Sequence, residues 1–510
     1  MSIPKLSEAH HPRPQWRSRM GFILAALGSA VGLGNIWRFS YLCHKNGGAA
    51  FLVPYFIALL IVGIPLLILE LGIGHKMRGS APMSFAKVDR KWEWCGWWAV
   101  NSAMYGIMIY YSVIIAWCLC YVFYSFNLSW GDDPNHFFFN EFLNKSTGPF
   151  VFGDMRTPIV LSLFAVWFFT WFIVYSGVQK GVERANKVFM PMLLGLITIL
   201  VFWSLTLEGA QKGLSVYLKP DFLKLMDYKI WIDAFSQIFF TLSLAFGIMI
   251  TYASYLPRKV DIVKDALIIG FGNCFFSLFA GLAVFGTLGY MAHTQGVAVS
   301  EVVEESLGLA FVTYPKAISL MPAFAKVFGV IFFSSLVIAG LSSAISLVEA
   351  FSCAVIDKFH YGRGTVVTVV CSSGFILSLF FTARSGLFWV DIVDHFITNY
   401  GLVIVGVLEC VIVGWIFKAS KMRDHINHAG RLPLPKIWDI SVKFLVPLIL
   451  IFLLVAGLKV EFSEPYEGYR PIELFTLGQN WLLLALFVSI IVAFRPWKRE
   501  LEEKQDESKN

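Results

Sequence analysis

The sequence predicts an all-α polytopic membrane protein of twelve transmembrane helices, on three observations. Hydrophobic residues make up 57% of the 510 positions and charged residues only 15%, against roughly 25% charged in soluble globular chains. Apolar stretches recur at the length a helix needs to cross the hydrocarbon core, about twenty residues. The basic residues collect in alternate connections between those stretches, as expected when positive charge is retained on one side of the membrane during insertion.

The length rule places spans near 19–42, 49–74, 94–126, 158–176, 184–206, 231–255, 262–291, 323–356, 365–383, 388–417, 440–458 and 479–495. The stretch 298–318, "AVSEVVEESLGLAFVTYPKAI", is amphipathic and carries three glutamates, so it reads as an external helix-turn segment and not as a span. Residues 1–18 form an N-terminal tail and 496–510 a C-terminal tail, and no soluble domain interrupts the single transmembrane domain between them. The tail lacks the apolar core and small-residue cleavage site of a removable signal peptide, so the first span is expected to be the targeting signal.

Orientation follows from lysine and arginine. With the N-terminus inside, the cytoplasmic set holds Arg13, Arg17, Arg19, "HKMRGSAPMSFAKVDRK", "QKGVERANK", "PRKVDIVK", "DKFHYGRG", "KASKMRDHINHAGRLPLPK" and "RPWKRELEEK", which is most of the 41 basic residues. Both termini are therefore expected in the cytoplasm, and the loop 128–156 outside. The same bias accounts for much of the +7 net charge, so no nucleic-acid partner is called for. The eight cysteines are scattered through apolar runs without metal-ligand spacing and read as small hydrophobes. The ten histidines form no catalytic grouping, and His10, His11, His425 and His428 fall in cytoplasmic segments where solvation is expected. Nothing here resembles the nucleophile-and-base or metal set of an enzyme.

Two spans are built poorly for merely sitting in lipid. "GSAVGLGNIWRF" puts Gly28, Gly32 and Gly34 in the first span and follows them with Asn35 and Arg38. "FFTLSLAFG" puts Thr241, Ser243 and Gly247 in the middle of the sixth. A bilayer offers no water to unpaired backbone groups, so a broken helix is tolerated only where protein, an ion or a water-filled cavity satisfies them. Alone, either segment reads equally well as close helix packing. Spans one and six correspond if the first ten spans form two five-helix repeats, and paired breaks of that kind are a known pointer to a transporter's binding site. Freed carbonyls at half-helix C-termini then suit a cation, and half-helix N-termini an anion.

"GFILAALGSAVGLGNIWRF", "GGAAFLVPYFIALLIVGIPLLILELGIG", "QIFFTLSLAFGIMITYASY" and "AGLSSAISLVEAF" resemble the neurotransmitter:sodium symporter family, whose bacterial members include the leucine-transporter type. The likeness runs from about Arg13 to beyond residue 490. It implies two inverted five-helix repeats (about 19–206 and 231–417) with spans one and six broken, followed by spans eleven and twelve (about 440–495). It also implies sodium-coupled import of an α-amino acid by alternating access across a bacterial inner membrane.

Carried over by position, the resemblance implies a first sodium site at Ala30, Asn35, Thr241 and Asn273, together with the substrate carboxylate. The second lies at Gly28, Val31, Ala339, Ser342 and Ser343. The substrate pocket is implied at Ser29, Ala30, Leu33, Gly34, Ile107, Tyr111, Phe240, Thr241, Ser243, Phe246, Ser343 and Leu347, with Tyr111 offered to the carboxylate and Phe240 as a lid. Gly32 stands where monoamine carriers of the family place an aspartate, leaving space for a substrate that brings its own carboxylate. The apolar, uncharged lining implies a neutral, hydrophobic substrate side chain.

Arg38 with Asp394 matches the family's external gate, and Arg13 with Asp357 the internal one, near Trp16 and Tyr255. Charges in the membrane are costly and point to function, although snorkelling at the interface is the plainer reading of Arg13. Glu70 matches a carboxylate that holds broken backbone; Glu349, Asp391 and Glu409 receive no role. Gly181 and Pro191, ten residues apart in span five, match a pattern that would let the helix unwind and admit water to the inner sodium site. Ser277, four residues after Asn273, stands where chloride-independent relatives carry glutamate, so a chloride site is expected at Tyr55, Gln237, Thr241, Asn273 and Ser277. The bland readings are helix packing for Ser342 and Ser343 and a bond from Ser277 to its own helix. The alternatives are a carrier of another small zwitterion, such as glycine or an amino-acid derivative, and an ion channel, which would need a continuous pore instead of a gate on each side.

Overall fold

The structure is a computed structural model that describes residues 13–303, 306–321 and 323–498. His10, His11, Glu304 and Glu305, and most of the C-terminal tail, lie outside the described residues. The described residues are helical, with one isolated antiparallel bridge between Met155 and Ala383.

Ten continuous helices are long and apolar enough to cross a membrane: Gly48–Met77, Arg90–Tyr124, Thr157–Tyr175, Val178–Thr206, Ile262–Gln295, Ala325–Phe359, Arg363–Thr382, Gly386–Ile416, Ile437–Gly468 and Pro471–Phe494. An eleventh crossing is the pair Arg19–Ala30 and Leu33–Lys45, bent by 72°. The expected span 231–255 is not one helix. It is resolved into Tyr228–Thr241 and Ile248–Ser254, of 14 and 7 residues, each too short to cross alone. The first and sixth expected segments are thus both broken; the ordinal names below follow the twelve expected segments.

The helices sort by lining. Most of Arg90–Tyr124 is buried inside the protein, whereas only a third of Thr157–Tyr175 and a sixth of Pro471–Phe494 are. Leu161, Phe164, Phe202 and Phe494 point outward fully enough that their surface would be untenable in water. In lipid the same surface is matched to its solvent, so the chain is a multi-pass membrane protein. All eight cysteines are buried and unbridged, as befits small hydrophobes.

The segment 298–318 is not a span. It is helical at Val299–Val302 and continuously through Leu309–Thr313 into Tyr314–Ser319, with Leu309, Ala310 and Phe311 buried. Phe311 stacks on Phe138 of the 128–156 loop with ring centroids 5.2 Å apart, so loop and segment pack as one cap over the bundle.

At the bundle's centre the second span supports the second half of the sixth. A Cβ on Gly74 would lie 2.0 Å from the Ile250 carbonyl oxygen. Only a glycine lets Ile248–Ser254 lie this close to Gly48–Met77.

Candidate functional site

The first span ends its initial helix at Ala30. Gly32 is extended (φ −116°), and Leu33–Asn35 makes one tight 3₁₀ turn before the helix resumes at Trp37. Asn35 closes the break: its Oδ1 accepts from the Gly32 N–H at 2.8 Å. None of Gly28, Gly32 or Gly34 takes a positive φ, so their value is space, not backbone freedom. The space at Gly32 is smaller than expected, since a Cβ there would meet the Tyr111 hydroxyl and Ser343 Oγ, each at 3.2 Å.

The sixth span breaks by a different device. Ser243 and Ala245 hold left-handed backbone (φ 52° and 66°) and Gly247 follows at φ 72°. Such non-glycine conformations cost of order 1–2 kcal/mol per residue and need outside support. Fully buried Glu70 supplies it, its Oε1 accepting from the Ala245 N–H at 2.8 Å. Ser243 Oγ donates to the Ser29 carbonyl at 3.0 Å and ties the two breaks together.

Between the breaks lies a cavity of about 60 Å³. All twelve residues implied for a substrate pocket line it, from Ser29 on the first span to Leu347 on the eighth, together with Gly32, Asn35 and Ile248. Phe240 lines this cavity and also a vestibule of about 1010 Å³ beyond it, so its ring is the partition between the two.

The first cation set converges through amides. Asn35 Nδ2 donates to Asn273 Oδ1 and Ser277 Oγ, both at 2.8 Å, and Asn273 Nδ2 donates to Thr241 Oγ1 at 3.2 Å. Ala30, Asn35 and Thr241 reach the cavity, and Asn273 stands behind them. In the second set, Ser343 Oγ lies 3.4 Å from both the Gly28 and Ala339 carbonyl oxygens, and Ser342 Oγ donates to the Ala339 carbonyl at 2.8 Å. Val31 is buried at the end of the first half-helix, where the last carbonyls have no helical N–H to accept from. Neutral oxygens at a helix C-terminus fit a hard monovalent cation.

The expected anion set is divided. Tyr55 and Gln237 are fully buried, and the Tyr55 hydroxyl and both polar atoms of the Gln237 amide have no hydrogen-bond partner. A buried orphan donor costs about 1–3 kcal/mol, so these two side chains fit an anion. Ser277 is already engaged, donating to the Asn273 carbonyl at 3.3 Å.

The two gate pairs differ. Arg13 bonds Asp357 at 2.9 Å and Ser254 Oγ at 3.0 Å, and lies over the Tyr255 ring at 5.3 Å. Trp16 Nε1 donates to the Tyr252 carbonyl at 2.8 Å. Arg13 is thus a lodged residue and not a snorkelling one. Arg38 and Asp394 form no ion pair: Arg38 lies over Phe240 at 5.2 Å, and Asp394 accepts from the Tyr110 hydroxyl.

Several partnerships escaped the sequence. Glu349 accepts from Tyr255 at 2.9 Å and pairs with Arg363, and Asp391 accepts from Tyr466 and Tyr469 at 2.8 and 2.9 Å. Both carboxyl oxygens of Glu409 are buried without a hydrogen-bond partner. His425 is half-buried, its Nε2 2.9 Å from His75 Nδ1, and is not the solvated histidine expected. These contacts join residues 14 to 350 positions apart, and no local pattern announces them.

A family model described as the sodium:neurotransmitter symporter family matches residues 13–136 and 131–498. An uncharacterised sodium-dependent transporter of Methanocaldococcus jannaschii is 46% identical over 480 residues, covering 94% of this chain and 97% of that one. The sodium- and chloride-dependent glycine transporter 1 of Xenopus laevis is 32% identical over 500 residues, covering 87% of this chain and 78% of that one.

Proposed function

Because this chain belongs to the sodium:neurotransmitter symporter family, and is a transporter and not an enzyme, we propose that it carries a neutral α-amino acid inward with sodium by alternating access. The observation that supports this most is the cavity itself: every residue implied for substrate lines one space where two broken helices meet. A zwitterion there would set its carboxylate against a sodium ion held by Ala30, Asn35, Thr241 and Asn273, the two charges neutralising one another where a bare charge is costly. Gly28, Val31, Ala339, Ser342 and Ser343 would hold a second sodium, which fixes the first span against the eighth. Leu33, Ile107, Phe246 and Leu347 give a substrate side chain an uncharged, largely apolar surround, and Phe240 would close over it. The repeats at about 19–206 and 231–417 would rock against one another to expose the site to each side in turn.

The test is uptake into proteoliposomes under an inward sodium gradient, with all twenty amino acids competing against one labelled substrate. Saturable, sodium-dependent uptake of an apolar amino acid is expected; undiminished uptake without sodium, or non-saturating conductance, would reject the proposal.

A second reading, a carrier of glycine or a similarly small zwitterion, is favoured by the cavity volume. The cavity is small, about 60 Å³, and the glycine transporter relative is consistent with this reading. Glycine outcompeting leucine in the same panel would select it.

Orphaned Tyr55 and Gln237 support chloride as a co-ion. The concentration of lysine and arginine on alternate connections supports cytoplasmic termini.

A further inference from the structure

Span five carries a polar residue that none of these assignments uses. Asn186 is completely buried in the helix Arg184–Thr206, at the junction where that helix packs on both Arg19–Ala30 and Ala325–Phe359. Its Nδ2 donates to the Val182 carbonyl at 2.9 Å. That bond fixes which way the amide points, because the opposite flip would set oxygen against oxygen. Its Oδ1 is then left without a hydrogen-bond partner.

The orphan oxygen is aimed at one place. A Cβ on Gly28 would lie 2.1 Å from Asn186 Oδ1 and 3.3 Å from Ser342 Cβ. Oδ1 therefore rests against the α-carbon of Gly28, in the space that only glycine leaves, beside the first-span and eighth-span residues of the second cation set. One turn earlier on span five, Glu183 reaches the start of the first span: Oε2 accepts from the Arg17 N–H at 2.7 Å and Oε1 from Ser18 Oγ at 3.0 Å, and its charge is paired with Lys187 at 2.6 Å. Asn186 and Glu183 thus lie on one face of span five, running from Gly28 back toward the N-terminal tail. The turn Val178–Glu183 is π-helical, and Pro191 stands inside the helix beyond it, so regular helix bonding is interrupted on either side of Asn186.

We propose that Asn186 Oδ1 is a sodium ligand on the exit route from the second cation site, receiving the ion as it leaves Gly28. The inference rests on the assignment of that second site. A side-chain oxygen without a partner suits that role, because it offers the leaving ion a contact that no donor in the fold occupies. Unwinding at the π-helical turn would free the Val182 carbonyl, and with it the side chain of Asn186.

Sodium release to the inside is required for net uptake but not for exchange of labelled against unlabelled substrate with sodium on both faces. Both rates would be measured in proteoliposomes for the native protein, Asn186→Leu, Asn186→Asp and Ser343→Ala. Asn186→Leu is expected to lower net uptake roughly tenfold more than exchange, the scale of losing one buried polar contact, and Asn186→Asp, which keeps an oxygen at Oδ1, to restore at least part of the difference. Equal losses in both assays for Asn186→Leu, or an Asp variant no better than Leu, would overturn the proposal and leave Asn186 a packing residue. Ser343→Ala separates the premise: it should raise the sodium concentration needed in both assays. If it does not, the second-site assignment fails, whatever Asn186 does.

Discussion

Arg13 bonds Asp357 at 2.9 Å, while Arg38 and Asp394 form no ion pair. The end of the bundle nearer the N-terminal tail is latched; at the opposite end the vestibule of about 1010 Å³ reaches down to Phe240. A partly buried ion pair broken by removing one partner leaves the other charge stranded, a loss of about 3–5 kcal/mol. Arg13 also donates to Cys353 Sγ at 3.1 Å. Arg13→Ala is therefore expected to make Cys353 react with a membrane-permeant maleimide at least tenfold faster, read by mass spectrometry of the labelled peptide. An unchanged rate would show that the latch does not depend on Arg13.

Asn35 joins the break of the first span to Asn273 and Ser277. Asn35→Ala removes three hydrogen bonds, each worth about 1 kcal/mol net, and one proposed sodium ligand. Sodium-dependent substrate binding should fall at least tenfold while the protein still elutes as a folded species. Retained binding with native sodium dependence would displace Asn35 from the first site.

Ile107 lines the small cavity. Ile107→Ala should enlarge it and move preference toward bulkier side chains by roughly 1–3 kcal/mol, the worth of a methylene-scale change in a hydrophobic pocket. The competition panel reads this directly, and an unaltered ranking would place the substrate elsewhere.

Tyr55 and Gln237 point to an anion's place, because they are buried with polar atoms that lack partners. Native uptake should be faster in chloride than in gluconate. Ser277→Glu, which builds in a negative charge, should remove most of that difference. Equal native rates in the two media would reject a chloride site.

His425 is half-buried against His75, and burial pushes its pKa down from 6.5 to about 4. The folded state therefore keeps it neutral while the unfolded chain takes up a proton as pH falls. Its contribution to stability is complete above about 6.5 and is lost progressively toward about 4. The melting temperature in nanodiscs should fall through that window, and His425→Gln should flatten the slope. A slope unchanged by the substitution would assign it to other groups.

Composition and the spacing of apolar stretches determined by themselves that this chain is a helical membrane protein, because about twenty apolar residues have few other uses. The glycines and Asn35 marked the first break, and the family resemblance carried by the ordered motifs led to every cavity-lining side chain except Ile248. The second break was legible only as a polar interruption. Its left-handed residues are Ser243 and Ala245, which no propensity favours, and what holds them is Glu70, 175 positions from Ala245. Tertiary structure likewise decided that Gly28 is glycine to make room for Asn186, that Asp394 bonds Tyr110 instead of Arg38, and that His425 is buried. Each of these depends on which helix faces which, and apolar periodicity in lipid carries little of that information, because both the lipid-facing and the protein-facing sides of a span are hydrophobic.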